Sequence, residues 1–405
     1  MSTSENSRTI RSSRFIGLSV TQFLGAFNDN MFRWLAVPIG QQSMDPTQAL
    51  VLGGVLFTLP YLLLAPLSGS LADRLPKRAV IVRCKIAEIV LVALGIVAIA
   101  TSQLWLLFAL VFLLGAQSAL FGPAKFGALP EILDSESLSK GNGILGLATV
   151  TASALGLVAG YKLFGAIEPA IKAGPTFASL WLPATALIST AVLGTLSSLL
   201  VRTPTAANPQ ARIAWNPVTE TVPALRVLFR DVRLVRCALG IGFFWMLASL
   251  AQLNIDPFGK EGLHLPKENV GVLMAVLVAG LGVGSVLAGI WSQGKVELGL
   301  VPLGAFGISL SALGVFIASR FVEPGADVTH QAGFYAVCVM LFSLGGFAAM
   351  FDIPLEAYLQ YRSDDSNRGT VLAGSNFISF ASTPRSSTAC RTWLTSSACA
   401  SGLPK

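Results

Sequence analysis

Charged residues are scarce in this sequence: Asp, Glu, Lys and Arg together make up 12% of its 405 residues, while 53% are hydrophobic. An ordinary soluble domain carries about 25% charged residues, so this scarcity excludes a typical soluble protein. Long apolar runs recur along the chain, without the short alternating segments of outer-membrane barrels. We therefore predict an all-α polytopic membrane protein. The net charge of +7 does not indicate nucleic-acid binding, because the basic residues lie between the apolar runs.

Histidine and cysteine are also rare, which argues against an enzyme or a metal site. A membrane-bound acyltransferase would need a His-x4-Asp-type site, but the two histidines, His264 and His330, lie beside predicted outer loops without a nucleophile–base arrangement. Of the five cysteines, Cys84, Cys237 and Cys338 fall in or beside apolar segments without metal-ligand spacing, and we expect buried thiols. We predict no enzymatic activity, metal or cofactor.

The apolar runs predict ten complete membrane spans and part of an eleventh, arranged as two halves of the kind seen in transporters built from related repeats. The predicted spans cover about 15–39, 49–72, 79–100, 104–122, a fifth from about 139, 177–201, 234–256, 269–292, 299–319 and 332–352, with the eleventh starting near 370. The predicted division is an N-terminal tail (1–14), a six-helix half (15–201), a linker (202–233), an incomplete second half (234–380) and an aberrant polar tail (381–405). Lys and Arg concentrate on the side of the N-terminus, which predicts a cytosolic N-terminus.

The first span carries a polar triplet, Asn28-Asp29-Asn30, about fourteen residues into its apolar run. A carboxylate near mid-membrane costs about 2.5–3.5 kcal/mol on insertion scales, so Asp29 should face a protein interior or a wet cavity and have a partner. Arg33 follows one helical turn later and can be that partner. We favour a polar cluster facing a transport cavity; the alternative is a self-neutralised structural pair.

A basic loop is predicted between the second and third spans, at Gly69–Arg78, and it reads GSLADRLPKR. It resembles the major facilitator signature G-x-L-A-D-R-x-x-K/R-R. Within that superfamily the chain resembles the bacterial lysophospholipid transporters, flippases that recycle lysophosphatidylethanolamine. The stretches that carry this resemblance are Gln22–Asn30, Gly122–Gly127, Asn142-Gly143, Gly294–Gly299 and Pro354–Ala357. The resemblance implies two six-helix halves and a place in the bacterial inner membrane.

The same resemblance implies roles for residues in the predicted cavity. Asp29 would hold the substrate's amine. Lys125, in a polar connection after the fourth span, would hold its phosphate or be an ordinary interfacial lysine whose charge reaches the membrane surface. Arg236 would be a second phosphate contact or a positive-inside anchor, and Glu356 would pair with Lys125 across the halves or be a solvated loop acid. The predicted substrate-binding set is completed by Asn28, Asn30 and Arg33.

Five residues of the signature form the predicted gate. In the superfamily the loop acid, here Asp73, meets the N-terminus of helix 11 when the inner side closes. An acid at a helix N-terminus is favoured by about 0.3–1 kcal/mol. Arg74, Lys77 and Arg78 would pair with inner acids or anionic lipid headgroups, and Gly69 opens the motif.

The resemblance stops near Ser379, and the sequence from Thr383 onward is rich in Ser, Thr, Cys and Arg. Members of the family finish helix 11 and add helix 12, so we expect a truncated or frameshifted end; a genuine polar tail is the alternative. The implied partners are a lysophospholipid, membrane lipids and a functionally linked acyltransferase or acyl-carrier ligase, with a monomeric chain. Two other functions stay open: a proton-coupled exporter of a drug or metabolite with Asp29 as the proton carrier, and a non-transporting remnant.

Overall fold

The computed structural model describes residues 9–203, 206–265, 267–291, 297–323 and 328–382. All regular secondary structure in these ranges is helical, which confirms the all-α prediction. The helices are α1 (Ser13–Gln41), α2 (Pro46–Leu63), α3 (Ala65–Arg74), α4 (Lys77–Ala100), α5 (Leu104–Ile132), α6 (Leu138–Ala173), α7 (Trp181–Ser198), α8 (Pro217–Phe229), α9 (Val232–Pro257), α10 (Lys267–Trp291), α11 (Leu300–Ser319), α12 (Ala332–Arg362) and α13 (Arg368–Ser382). Short single-turn helices occupy Ser135–Ser137, Phe258–Gly262 and Val328–His330.

Seven of the described helices are long and apolar enough to cross a membrane, and α2 with α3 makes an eighth span that bends by 52°. The bend falls between Pro60 and Pro66, where the sequence predicts a possible kink. Helices α1 and α4, with 29 and 24 residues, also have the required length. They are less apolar because α1 contains the polar triplet and α4 contains Arg83, Lys85 and Glu88.

Several helices extend beyond their predicted ends. The segment predicted as a polar connection after the fourth span is part of α5, and α12 continues ten residues past its predicted end at 352 to Arg362. The predicted basic loop is also mostly helical, since only Leu75 and Pro76 separate α3 from α4. Proline and polar residues suggest breaks, but Pro123, Pro130 and Pro354 all lie inside helices. Membrane helices tolerate such prolines when neighbouring groups satisfy the backbone.

Small residues of α6 bring its backbone against α1, as their frequency in the predicted fifth span suggests. A Cβ atom at Gly156 would lie 2.5 Å from the Phe27 carbonyl oxygen, and one at Gly160 would lie 2.6 Å from that of Met31. Any larger residue would push α6 away from α1. The polar triplet lies along this contact, so close packing fixes its position.

The two halves meet near the membrane side that carries the N-terminus, here called the N-terminal side. There α3 packs against α13, and α6 packs against α10 and α12. Helix α8, in the predicted linker, packs Leu225 and Leu228 against Gly374 of α13. Parts of the predicted segments lie outside the described residues: positions 1–8 of the N-terminal tail, 204–205 of the linker, 266, 292–296 and 324–327 of the second half (including 294–296 of the Gly294–Gly299 stretch), and 383–405 of the polar tail.

Candidate functional site

Two asparagines of the triplet join α1 to neighbouring helices of its own half. Asn28 is fully buried, and its side-chain nitrogen donates to Glu88 Oε1 at 2.8 Å. Glu88 also forms an ion pair with Lys85, and both are buried in α4. The Asn30 side-chain nitrogen donates to Ser153 Oγ of α6 at 3.2 Å. The Asn28 side chain thus points into the packed half in this structure, and its predicted part in substrate binding stays a prediction.

Asp29 points in a third direction, toward α5, because successive helical residues are rotated by about 100°. It is 6% exposed, and its Oδ2 accepts a hydrogen bond from Ser118. Its other oxygen, Oδ1, is buried and has no hydrogen-bond partner among the described residues. Asp29 thus keeps one oxygen available at the centre of the N-terminal half.

Arg33 does not form the predicted ion pair with Asp29. Its guanidinium carbon instead lies 4.8 Å from the ring centre of Trp34 and 5.4 Å from that of Phe57. Cation–π contacts of this kind contribute about 0.5–2 kcal/mol, against about 2.5–3.5 kcal/mol for a charge at mid-membrane. The spacing of four residues allows an Asp29–Arg33 pair, but the aromatic faces hold the guanidinium elsewhere.

Charged groups from both halves approach each other between α5 and α12. Lys125 is 7% exposed, and its ammonium lies 4.2 Å from the ring centre of Phe126. The Lys125 ammonium attracts the Glu356 carboxylate of α12 electrostatically. The two groups do not form a direct ion pair within the described residues. Asp352 lies one turn before Glu356, and its buried Oδ1 has no hydrogen-bond partner among the described residues. Arg236 lies exposed near the start of α9.

Asp73 lies at the N-terminus of α13, the contact that the superfamily resemblance implies. Its Oδ1 accepts from the Gly369 backbone nitrogen at 2.6 Å. Its Oδ2 accepts from the Thr370 backbone nitrogen at 2.9 Å and the Thr370 hydroxyl at 2.6 Å. A Cβ atom at Gly69 would lie 2.8 Å from Thr370 Cα, so glycine is required for this approach. These contacts form a charged latch between α3 and α13.

A second, neutral latch joins α6 to α12. The Asn142 side-chain nitrogen donates to Gln360 Oε1 at 2.9 Å, and the Gln360 nitrogen donates to Asn142 Oδ1 at 2.7 Å. Both amides are buried, at 4% and 0% exposure. Next to them, a Cβ atom at Gly143 would lie 2.7 Å from the Ser285 carbonyl oxygen of α10. The reciprocal amide pair therefore lies inside a tight contact between the halves.

The other predicted gate residues differ in their surroundings. Lys77 is buried and forms an ion pair with Glu131 of α5, so one of the predicted pairs with an acid is present. Arg78 is exposed, and its backbone nitrogen donates to Thr203 Oγ1 at 3.1 Å. Arg74 is exposed. Of the three basic residues, Lys77 thus helps to join helices within the N-terminal half.

One residue that the sequence did not single out shapes the charged latch. Arg368 is buried at the start of α13, and its guanidinium donates to the Gln360 carbonyl oxygen at 3.2 Å and the Ser363 carbonyl oxygen at 3.4 Å. It also forms an ion pair with Asp365. These contacts hold the loop that presents the Gly369 backbone nitrogen to Asp73.

Comparisons with known proteins identify the family. The chain is 26% identical over 376 residues to the lysophospholipid transporter LplT of Serratia proteamaculans, covering 89% of this chain and 83% of the relative. The protein of the same name from Photorhabdus laumondii is 27% identical over 367 residues, with 88% and 81% covered.

Solved structures share the fold. The E. coli fucose:proton symporter FucP superposes with a TM-score of 0.68 at 15% identity, covering 95% of this chain and 92% of that one. A bacterial homologue of the iron transporter ferroportin in an outward-facing state gives 0.64 at 16% identity, with 91% and 89% covered. The sequence profile of the Major Facilitator Superfamily matches residues 18–383, and this chain therefore belongs to that superfamily of membrane transporters.

Proposed function

We propose that this protein moves a lysophospholipid of the lysophosphatidylethanolamine type across the bacterial inner membrane by alternating access, with its N-terminus in the cytosol. The observation that carries the proposal is a set of charges of both signs beneath a closed contact at the N-terminal side. Asp29 and Lys125 are buried in the N-terminal half, and the half-buried Glu356 of the second half attracts Lys125. The names of the relatives, at 24–27% identity, support the substrate class.

The headgroup chemistry matches these charges. Asp29 keeps a buried oxygen without a partner and would accept the substrate's ammonium group. Lys125 lies seven residues after Ser118 in α5, so it is about 10 Å nearer to the N-terminal side than the Asp29–Ser118 contact. Because it is not locked in a direct ion pair, its ammonium can bind a phosphate. Such attractions are stronger in a site of low dielectric than in water.

The charged latch and the neutral latch would form the gate on the cytosolic side. Each consists of a few hydrogen bonds, which is compatible with a contact that opens and closes during transport. When they open, Lys125 and Glu356 become accessible from the cytosol, where the lipid would be released. The linked acyltransferase or acyl-carrier ligase would then reacylate it. We expect a monomer, as the resemblance implies.

The test is lysophosphatidylethanolamine movement in proteoliposomes containing the full chain. Asp29→Asn should abolish movement at equal membrane expression. Lys125→Ala should weaken headgroup binding more than Lys125→Arg, because arginine keeps the charge. Lys172→Ala is the matched control, since Lys172 is 61% exposed and paired only with Glu168 on the same helix. Unchanged movement with Asp29→Asn would remove Asp29 from the mechanism, and equal effects of the two Lys125 variants would make it a packing residue.

One observation favours a second candidate, a proton-coupled exporter of a drug or metabolite. The orphaned Asp29 oxygen is a suitable place for a transported proton as well as for an ammonium group. The two functions differ in energy coupling. An exporter stops when a protonophore removes the proton gradient, whereas a flippase that moves lipid down its gradient continues.

A further inference from the structure

Arg33 lies inside the N-terminal half and forms no ion pair with the acids of the described residues. Within the described residues its guanidinium has no hydrogen bond and no ion pair, and its contacts are the ring faces of Trp34 and Phe57. Behind these two rings, Tyr161 packs against Trp34 and Tyr61 packs against Phe57, with ring centres 5.5 and 6.3 Å apart. These four aromatic residues, from α1, α2 and α6, are here called the aromatic cage. A guanidinium held in this way has all five N–H donors available for an anion.

Close packing contacts fix the aromatic rings around Arg33. Trp34 stacks on Tyr161 with ring centres 5.5 Å apart. A side chain at Gly160 would collide with Trp34, because its Cβ atom would lie 2.8 Å from that of Trp34. The cage therefore positions the guanidinium on a rigid surface. The planar fork of an arginine suits the paired oxygens of a phosphate, which it can bind with two parallel hydrogen bonds.

The position of Arg33 relative to Asp29 matches a zwitterionic headgroup. Arg33 is four residues further along α1, which places it about 6 Å from Asp29 toward the side opposite the N-terminus. Lys125 lies on the other side of Asp29, about 10 Å toward the N-terminal side. Arg33 and Lys125 thus lie at different depths, with the Asp29 carboxylate between those depths. The halves are closed at the N-terminal side, so Arg33 is the farther of the two from the closed contact.

We propose that Arg33 and the aromatic cage form an anion-binding station for the substrate's phosphodiester in the conformation closed at the N-terminal side, while Asp29 holds the ammonium. This inference rests on the proposed function for the identity of the anion. The cage also contacts the second half, because Tyr61 stacks on Phe380 of α13 with ring centres 4.1 Å apart. Movement of α13 when the charged latch opens would shift Tyr61 and weaken the station, and the phosphate would pass to Lys125.

The experiment measures equilibrium binding to the purified full chain in phosphatidylcholine nanodiscs. The probes are lysophosphatidylethanolamine, a monoacylglycerol with the same acyl chain but no phosphate, and inorganic phosphate. Arg33→Gln should raise the Kd for lysophosphatidylethanolamine by about tenfold or more, as expected for a lost charged hydrogen bond, with the monoacylglycerol Kd unchanged. Arg320→Gln is the matched control, because Arg320 also lies over a ring, that of Phe316 at 4.8 Å, but is exposed directly after the end of α11. The Kd of this variant for lysophosphatidylethanolamine should equal that of the unmodified chain.

Equal weakening for both lipids, or no weakening, would overturn the station while leaving lysophospholipid transport intact. If Arg33→Gln fails to fold, Arg33→Lys carries the test: weaker lysophosphatidylethanolamine binding supports the guanidinium fork, and unchanged binding overturns it. If the unmodified chain binds no lysophospholipid but binds inorganic phosphate through Arg33, the station stands as a phosphate site and the proposed substrate fails. Binding of neither overturns both.

Discussion

Replacing Asp73 by asparagine is the sharpest perturbation of the charged latch. The carboxylate accepts three hydrogen bonds, from the backbone nitrogens of Gly369 and Thr370 and from the Thr370 hydroxyl. Asparagine has the same shape but only one accepting oxygen, and its amide group would face a backbone donor. The Asp73→Asn change therefore removes at least one hydrogen bond and the negative charge, while leaving the packing around Gly69 in place.

The expected magnitude follows from these contacts. A hydrogen bond to a charged group contributes about 1.5–3 kcal/mol, and an acid at a helix N-terminus adds about 0.3–1 kcal/mol. The closed state should therefore lose about 2–4 kcal/mol relative to the open one. Since 1.4 kcal/mol corresponds to a factor of ten in an equilibrium constant, the ratio of open to closed molecules should rise by about thirtyfold or more.

Spin labels at Arg83 and Tyr361 can report this shift. Both are exposed, and they lie near the N-terminal side on different halves. In a background without native cysteines, pulsed electron resonance should show a longer distance gaining population in Asp73→Asn, and turnover should fall more than substrate affinity. Asp134→Asn, an exposed acid on the same side, should leave the distances unchanged. An unaltered distance distribution in Asp73→Asn, or a pure affinity change, would refute the latch.

Three further changes test other contacts. Gly69→Ala would place a Cβ atom 2.8 Å from the α13 backbone and should populate the longer spin-label distance; an unchanged distribution would mean that α13 shifts without cost. Asn142→Leu leaves the Gln360 amide unpaired and should destabilise the closed state by about 1–3 kcal/mol. The double variant Asn142→Leu with Gln360→Leu should recover most of this loss of stability; a double variant whose closed state is as unstable as that of the single variant would contradict the pairing. Lys85→Met should lower the free energy of unfolding by about 3–5 kcal/mol, because it leaves the Glu88 charge without its ion-pair partner. The double variant with Glu88→Gln removes that charge and keeps an acceptor for the Asn28 amide, so it should recover most of the loss; equal thermal unfolding of both variants would count against the ion pair.

The sequence was sufficient for the architecture and for one contact between the halves. Apolar runs and scarce charge predicted a helical membrane protein. The signature around Asp73 implied a contact with the eleventh span, which is α13, and this contact is present in the structure. This contact was predictable because one short segment supplies Asp73, the acid, and Gly69, the glycine that lets α13 approach. The roles of Asp29 and Lys125 in binding stay predictions.

The side-chain partners were not predictable in the same way. The partner of Asn28 is Glu88, sixty residues away, and that of Asp29 is Ser118, eighty-nine residues away. Helical spacing favoured the local Asp29–Arg33 pair, but the aromatic rings around Arg33 come from three helices, and their convergence is not encoded in spacing. The polar connection predicted around Lys125 was wrong because it, too, depends on distant neighbours. A proline is a weak helix breaker where neighbouring helices support the backbone.

The distribution of strong and weak contacts between the halves has a consequence for transport. The two latches lie near the N-terminal side, one between α3 and α13 and the other between α6 and α12, and both are fully hydrogen-bonded. Further into the membrane, Lys125 and Glu356 attract each other without a direct ion pair. Breaking a buried direct pair costs about 3–5 kcal/mol, which would oppose both substrate binding and opening. A loose pair behind tight latches avoids that cost, so the charges stay available to a ligand while the latches set which side is open.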